Sequence, residues 1–346
     1  MSDALFASPA AFRQAFADGL TGLLEKGGLG PFILVCANAT FSHAIYDPAA
    51  GGLQHLYAEL RAAYAEALEH GREIAAVEED LLVFLKIQAI GLERLKPTET
   101  RQSEGWELQF NHLRSFRPKR ITAKVPERLH APFDEAGFHF NKGFMQKEAF
   151  WAGELCGRHA TLYYNKYPFV DFHGLLVPER ESCLSQYLTE AHHFYLWEVS
   201  AALAQNLPGV GFGYNSLGAF ASVNHLHFQM FIKPQGFPVM APKWKHNGGI
   251  LPYPPSAPPS PTRARPGLTC TSCTNAKRPT TCSTARAACM CSRAASKAPI
   301  PSPPGPAVLP GTNWRAASSR STARITSGWT RRPSKPSWPR WRFSPS

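Results

Sequence analysis

No aspartate or glutamate occurs after Glu198. From position 257 onward fifteen lysines and arginines accumulate with no acid to balance them, although the whole chain of 346 residues is +12. Such a charge, if evenly spread, would point to nucleic acid or an anionic surface as partner. It is not spread. Twenty-two of the 37 basic residues and all 25 acidic ones precede position 257, which leaves that part at −3. Nucleic acid is therefore not the expected partner of the body. Cysteine is scarce there too: five of eight lie in the tail, leaving Cys36, Cys156 and Cys183. Three scattered thiols exclude a disulfide framework and fit a reducing compartment. No apolar run is long enough to cross a membrane, and the N-terminus lacks a basic segment followed by an apolar core. The body is expected to be soluble, globular and cytoplasmic.

Taken in order, Phe12, Phe16, Leu20, Leu23 and Leu24 recur at helical spacing, and Gly27-Gly28 ends the run. Pro31 to Cys36 reads as a short buried strand. A second helix is predicted with Leu53, Leu56, Tyr57, Leu60, Tyr64 and Leu68 on its apolar face and Gly71 as its stop. Leu81 to Ile87 fits strand or buried helix equally. The basic cluster of Arg114, Arg117, Lys119 and Arg120 precedes an apolar stretch, Ile121 to Val125, and fits either a solvated loop beside a strand or a set of phosphate donors. Phe138 to Lys142 alternates polar and apolar residues, with Lys142 a phosphate ligand or a surface residue. Leu162–Pro168 and Phe172–Pro178 read as neighbouring strands with a turn between. Ser182 can cap a helix whose core face is Leu184, Tyr187, Leu188, Ala191 and Tyr195, ended by Pro208-Gly209. The order predicts an α+β fold: an antiparallel sheet crossed by helices. Residues 1–104 form a helical region contributing to that fold, 105–255 its core, and 256–346 a low-complexity extension.

That extension has no apolar period. It fits a disordered basic segment or a gene read out of frame. A choice among the codons permitted for Cys270 to Cys291, read one base earlier, can give Leu-His-Glu-Leu-His-Glu-Arg-Lys-(Ala)-Pro-Tyr-Asn-Leu-Leu-Tyr-Arg-(Ala)-Gly-Arg-Leu-Tyr-Val. This text resembles helix followed by strands, and it favours a frameshift near residues 254–259. Cys270-Thr-Ser-Cys273 is then neither a zinc nor a redox motif.

The chemistry concentrates in Gly211 to Phe231. His225, His227 and Gln229 alternate with Leu226, Phe228 and Met230, a period of two that predicts a strand with the polar groups on one face. A bare His-x-His-x-Gln is more often structural than catalytic. Here Gly211, Gly213 and Gly218 permit close backbone approach, Asn215, Ser216 and Ser222 offer short donors, and Lys166 lies on a nearby strand. Two imidazoles and an amide suit in-line transfer at phosphorus, one nitrogen attacking while neutral donors hold the oxygens. His225 either orients His227 or contacts phosphate, or else packs against a main-chain carbonyl. For Asn215 and Ser222 the alternatives are phosphate or ribose contact and turn capping. His192-His193 read as helix-surface residues, and neither metal nor cofactor is expected.

Gly213-Tyr-Asn-Ser-Leu-Gly-Ala-Phe-Ala-Ser-Val-Asn-His-Leu-His-Phe-Gln229 is similar to the signature of the GDP-L-galactose and GDP-D-glucose phosphorylases, in the transferase branch of the histidine-triad superfamily to which galactose-1-phosphate uridylyltransferases also belong. Asn111 with Arg117-Pro118, Pro132-Phe-Asp134, Phe138 to Lys142 and His173-Gly-Leu-Leu-Val-Pro178 extend the resemblance over about residues 105–245. It implies a histidine-triad-like sheet, possible homodimerisation, and a nucleotide sugar and inorganic phosphate as ligands. It also implies double displacement: His227 as nucleophile on the α-phosphorus of a GDP-hexose, with phosphate then removing the guanylyl group. Gln229 and His225 complete the catalytic set, and Asn215, Ser216, Ser222, Lys142, Lys166, Arg117 and Arg120 are the candidate substrate contacts. The alternatives are a dinucleoside polyphosphate (Ap4A) phosphorylase and a non-catalytic nucleotide- or RNA-binding protein.

Overall fold

Helices lead the chain. In this computed structural model, residues 4–103, 106–118, 130–217, 221–253, 280–285 and 288–293 are described, all within the unit that contains Met1–Ala294. Helix α1 (Pro9–Glu25) starts at Ser8, whose hydroxyl accepts the Ala11 N–H at 3.1 Å, with Pro9 at the first helical position. It buries Phe12, Phe16, Leu20, Leu23 and Leu24, as its spacing predicts.

The run Pro31–Cys36 is not a strand but the middle of helix α2 (Leu29–Ala39), in which nine of eleven residues are buried. A helix enclosed on all sides has no polar face and so carries no 3.6 period in its sequence. Helix α3 (His43–Glu69) begins nearly three turns before Leu53, where its expected apolar face starts, and runs through Pro48 and Gly51-Gly52. Gly52 packs closely on α1: a Cβ there would sit 3.0 Å from the Leu24 side chain, which would have to give by a few tenths of an ångström. Gly71, at φ 62°, ends it as expected, whereas Leu68 is exposed. Leu81–Ile87 proves helical, within α4 (Glu78–Ile90).

A hairpin, β1 (Glu99–Ser103) and β2 (Trp106–Phe110), leads to the short helix α5 (His112–Phe116), capped by Asn111. The same Asn111 amide donates to the hydroxyls of Thr40 and Thr98, both at 2.7 Å, tying the helices to the hairpin. Ile121–Val125, Lys119 and Arg120 lie outside the described residues. Phe138–Lys142 is not a strand. It turns, with the Lys142 N–H on the His139 carbonyl at 3.3 Å, into α6 (Gly143–Gln146).

The main sheet has seven strands: β3 (Ala149–Leu155), β4 (Arg158–Tyr164), β5 (Gly174–Pro178), β6 (Val210–Asn215), β7 (Phe228–Ile232), β8 (Thr280–Ala285) and β9 (Ala288–Arg293). Their order is β3-β4-β5-β7-β6-β8-β9, and every neighbouring pair is antiparallel. The fold is α+β. The strands expected around 162–178 are neighbours, joined from Ala160↔Pro178 to Tyr164↔Gly174. Phe16 of α1 seats the helices on this sheet, with ring centroids 5.1 Å from Phe150, 4.7 Å from Tyr164 and 5.5 Å from Phe172.

Helix α7 (Glu190–Leu203) starts at Thr189, not at Ser182. Left-handed Cys183 (φ 51°) turns the chain after a single 3-10 turn, so Leu184, Tyr187 and Leu188 precede the helix. Tyr195 joins its buried face while Ala191 is exposed. His192 and His193, expected on the surface, are buried. His192 Nδ1 lies 2.8 Å from the Thr189 hydroxyl, and His193 Nε2 accepts from the Trp197 indole at 3.1 Å. They serve the helix start and its packing. In the tail the structure describes the β8–β9 backbone, while Cys270-Thr-Ser-Cys273 falls outside the described residues.

Candidate active site

Strands β6 and β7 pair from Val210↔Ile232 to Gly213↔Gln229 and then part. Gln229 therefore lies in the central strand, but His225 and His227 do not. They occupy the segment entering β7, which starts only at Phe228. What displaces them from the ladder is a side chain. By the same register Asn215 would lie opposite His227, two positions beyond the last pair, and the buried amide of Gln186 bonds to the main chain of both. The segment is pinned further by Leu226 N–H on the Leu184 carbonyl at 2.8 Å and by Asn224, which accepts the Gln186 N–H at 3.0 Å.

Two contacts set the proton positions on the histidines. The Phe140 N–H donates to His225 Nδ1 at 3.2 Å, so the His225 proton resides on Nε2, on the side of the Arg180 main chain. His227 Nδ1 lies 2.7 Å from the His225 carbonyl. A carbonyl only accepts, so Nδ1 carries the proton and Nε2 keeps its lone pair. Burial lowers the pKa of both rings from 6.5 to about 4. At neutral pH each is uncharged, and Nε2 of His227 carries no proton. Phe140 packs on both, with centroids 5.5 Å from His225 and 5.3 Å from His227, and Phe133 closes on His225 at 5.2 Å. Phe140 in turn sits in an apolar cluster with Met145, Tyr163 and Val177, which excludes water from below.

Gln229 is oriented from the opposite side. Its carbonyl oxygen accepts from Asn165 Nδ2 at 3.1 Å and also bonds the ring of His173. His173 Nδ1 accepts the Phe169 N–H at 3.3 Å, so its proton is on Nε2 and faces that oxygen. Burial drives the His173 pKa to about 3. With its oxygen committed, Gln229 presents its amide hydrogens as donors. The cluster thus offers one imidazole lone pair and one neutral donor two residues apart.

The expected phosphate ligands are arranged differently. Lys166 Nζ pairs with Asp80 of α4 at 2.9 Å. Arg117 bonds Glu79 at 2.6 Å and lies over the Tyr167 ring. Lys142 Nζ donates to the Glu135 carbonyl at 3.0 Å. None of the three bonds to His225, His227 or Gln229. Asn215 ends β6, Ser216 is buried after it, and Ser222 is exposed. Gln186, Asn165 and His173 carry the site's geometry without a sequence pattern that announces them. Among the described residues no group of three or more His, Cys, Asp or Glu could hold a metal ion, and no helix is long and apolar enough to cross a membrane.

Residues 102–231, which hold all of these groups, match the profile of a family described as GDPGP1-like, N-terminal domain. GDP-D-glucose phosphorylase 1 of Danio rerio is 36% identical over 137 residues, covering 39% of this chain and 39% of the relative. GDP-L-galactose phosphorylase 1 of Arabidopsis thaliana is 31% identical over 150 residues, covering 39% of this chain and 33% of the relative. The chain thus matches about two fifths or less of the length of these relatives. The crystal structure of a yeast Ap4A phosphorylase in complex with Ap4A aligns over 63% of this chain and 81% of that one, at 12% identity and a TM-score of 0.33, too low to carry an argument.

Proposed function

We propose, from the match of residues 102–231 to the GDPGP1-like N-terminal domain family, that the protein is a phosphorylase-type nucleotidyltransferase that converts a GDP-hexose and inorganic phosphate into GDP and hexose 1-phosphate. His227 Nε2 attacks the α-phosphorus. The bond from that phosphorus to the bridging oxygen breaks, and hexose 1-phosphate leaves with the electron pair. Phosphate then attacks the guanylylated histidine, the P–N bond breaks, and GDP and neutral His227 are regenerated. A phosphate leaving group needs no proton at neutral pH, so an amide suffices at position 229. It donates to a non-bridging oxygen without serving as an acid. The observation that carries this reading is the His227 tautomer, with Nδ1–H on the His225 carbonyl at 2.7 Å and Nε2 left unprotonated. The free thiols of Cys36, Cys156 and Cys183 are consistent with action in the cytoplasm.

Incubation with GDP-glucose and phosphate, and separately with diadenosine tetraphosphate and phosphate, tests the proposal. Release of GDP and glucose 1-phosphate, with a guanylyl adduct on the peptide containing His227, is the expected result. Release of ADP from the second substrate alone would transfer the reading to a dinucleoside polyphosphate phosphorylase. Turnover of neither would end it.

A further inference from the structure

Gln186 is 1% exposed and every polar atom of it is committed. Its side-chain oxygen accepts the His227 N–H at 2.9 Å, while its amide nitrogen donates to the His227 carbonyl at 3.1 Å and to the Asn215 carbonyl at 2.7 Å. Its own N–H goes to Asn224 at 3.0 Å, and its carbonyl accepts the Tyr214 hydroxyl at 3.0 Å. One primary amide has two donors and one principal acceptor direction, and all are used on main chain. The effect is that of a missing strand residue. The β6–β7 ladder stops at Gly213↔Gln229, and the Gln186 amide continues it by occupying the gap between Asn215 and His227.

We infer that Gln186 is the positioning residue of His227: a side chain that substitutes for a β-ladder partner and fixes the nucleophile's main chain, without touching substrate. The His225 carbonyl then sets the ring through Nδ1. The two constraints together hold Nε2 on one line of approach, which an in-line displacement requires. No other amide side chain can make the same three bonds from this place: an Asn is one methylene too short, and a Glu lacks both donors. This role rests on the phosphorylase reading only for the name of the reaction it serves.

Two volume-matched variants and one measurement on the unaltered protein test it. In Gln186→Met and Gln186→Glu, kcat for GDP-glucose phosphorolysis is expected to fall about 10–100-fold while KM stays within about threefold, as for a displaced reacting group with intact binding. In Gln186→Glu the loss should deepen from pH 6 to pH 8, because only the protonated acid can donate to one of the two carbonyls. A purely structural glutamine would not produce that pH profile. In the wild-type protein the His227 amide hydrogen should exchange as slowly as that of Met230 in β7. Exchange at the rate of exposed loop amides would overturn the inference, as would a folded Gln186→Met protein with kcat within about twofold of wild type. If the variants do not fold, the exchange measurement decides alone. If the wild-type protein releases no GDP, the phosphorylase reading fails, and the same exchange measurement still decides the role of Gln186.

Discussion

Replacing His227 by Ala removes the unprotonated Nε2 of the site, and turnover of GDP-glucose is expected to fall at least ~10³-fold, as measured by GDP release. The ionisation of His227 makes a second prediction with a definite sign. The neutral ring is the reactive one, and its pKa is lowered to about 4 by burial. The limb of the pH–rate profile that His227 controls should thus fall only as pH approaches 4, and not near 6.5. Stability follows the same protons. His225 and His227 titrate near 4 and His173 near 3 in the fold, all below the unfolded value of about 6.5. Between those values the unfolded chain binds more protons, so stability rises with pH up to about 6.5 and is flat above. Each ring contributes up to about 1.4 kcal/mol per pH unit in its window, and urea titrations at pH 5 and 7 would detect the difference. Equal midpoints at the two pH values would contradict the buried neutral state.

Elements hold these residues through a few identifiable links. Asp80 of α4 is almost fully buried and depends on Lys166, the residue following Asn165. Substituting Lys166→Met leaves a buried carboxylate unpaired and should cost about 3 kcal/mol at neutral pH, less at acid pH where Asp80 takes up a proton. Chemical denaturation of the folded variant measures it. Thr189→Ala removes the hydroxyl that caps α7, at an expected cost of about 1 kcal/mol, and should lower the melting temperature without altering KM. The sequence revealed these elements unevenly. α1 was legible because it has one buried and one open face, and the 162–178 strand pair because its apolar runs are short and bounded by turn residues. α2 was not, since burial on all sides erases periodicity. His-x-His-x-Gln was legible as chemistry but not as a strand, because the residue that interrupts the ladder, Gln186, is a lone glutamine some 40 positions upstream in the chain. Lys166 and Arg117 show the opposite difficulty. Basic residues near a phosphate site look alike in sequence, and only the partners Asp80 and Glu79 reveal that these two tie α4 to the segment after β4 and to the end of α5.

For the whole molecule, the open question is what completes the sheet beyond β6. Strand β8 lies on its outer edge, pairing from Gly211↔Ala285 to Asn215↔Thr281, and β9 pairs with β8 from Thr280↔Arg293 to Ala285↔Ala288. A chain ending at residue 253 would leave the β6 edge bare, and light scattering should rise with its concentration. The residues at 280–293 are threonine, serine, alanine, cysteine, methionine and arginine, an unusual text for a hairpin closing a sheet. Permitted codons chosen for this stretch and read one base earlier can place Tyr-Asn-Leu-Leu-Tyr-Arg on the span of β8, Ala-Gly between the strands and Arg-Leu-Tyr-Val on the start of β9. The strand boundaries drawn by the backbone and the punctuation of the other frame coincide. The hairpin therefore works as a proofreading mark on the gene. A single-base correction upstream of position 260 should yield a protein with β-branched or aromatic side chains at that edge and a higher melting temperature, and an uninterrupted frame on resequencing would refute it.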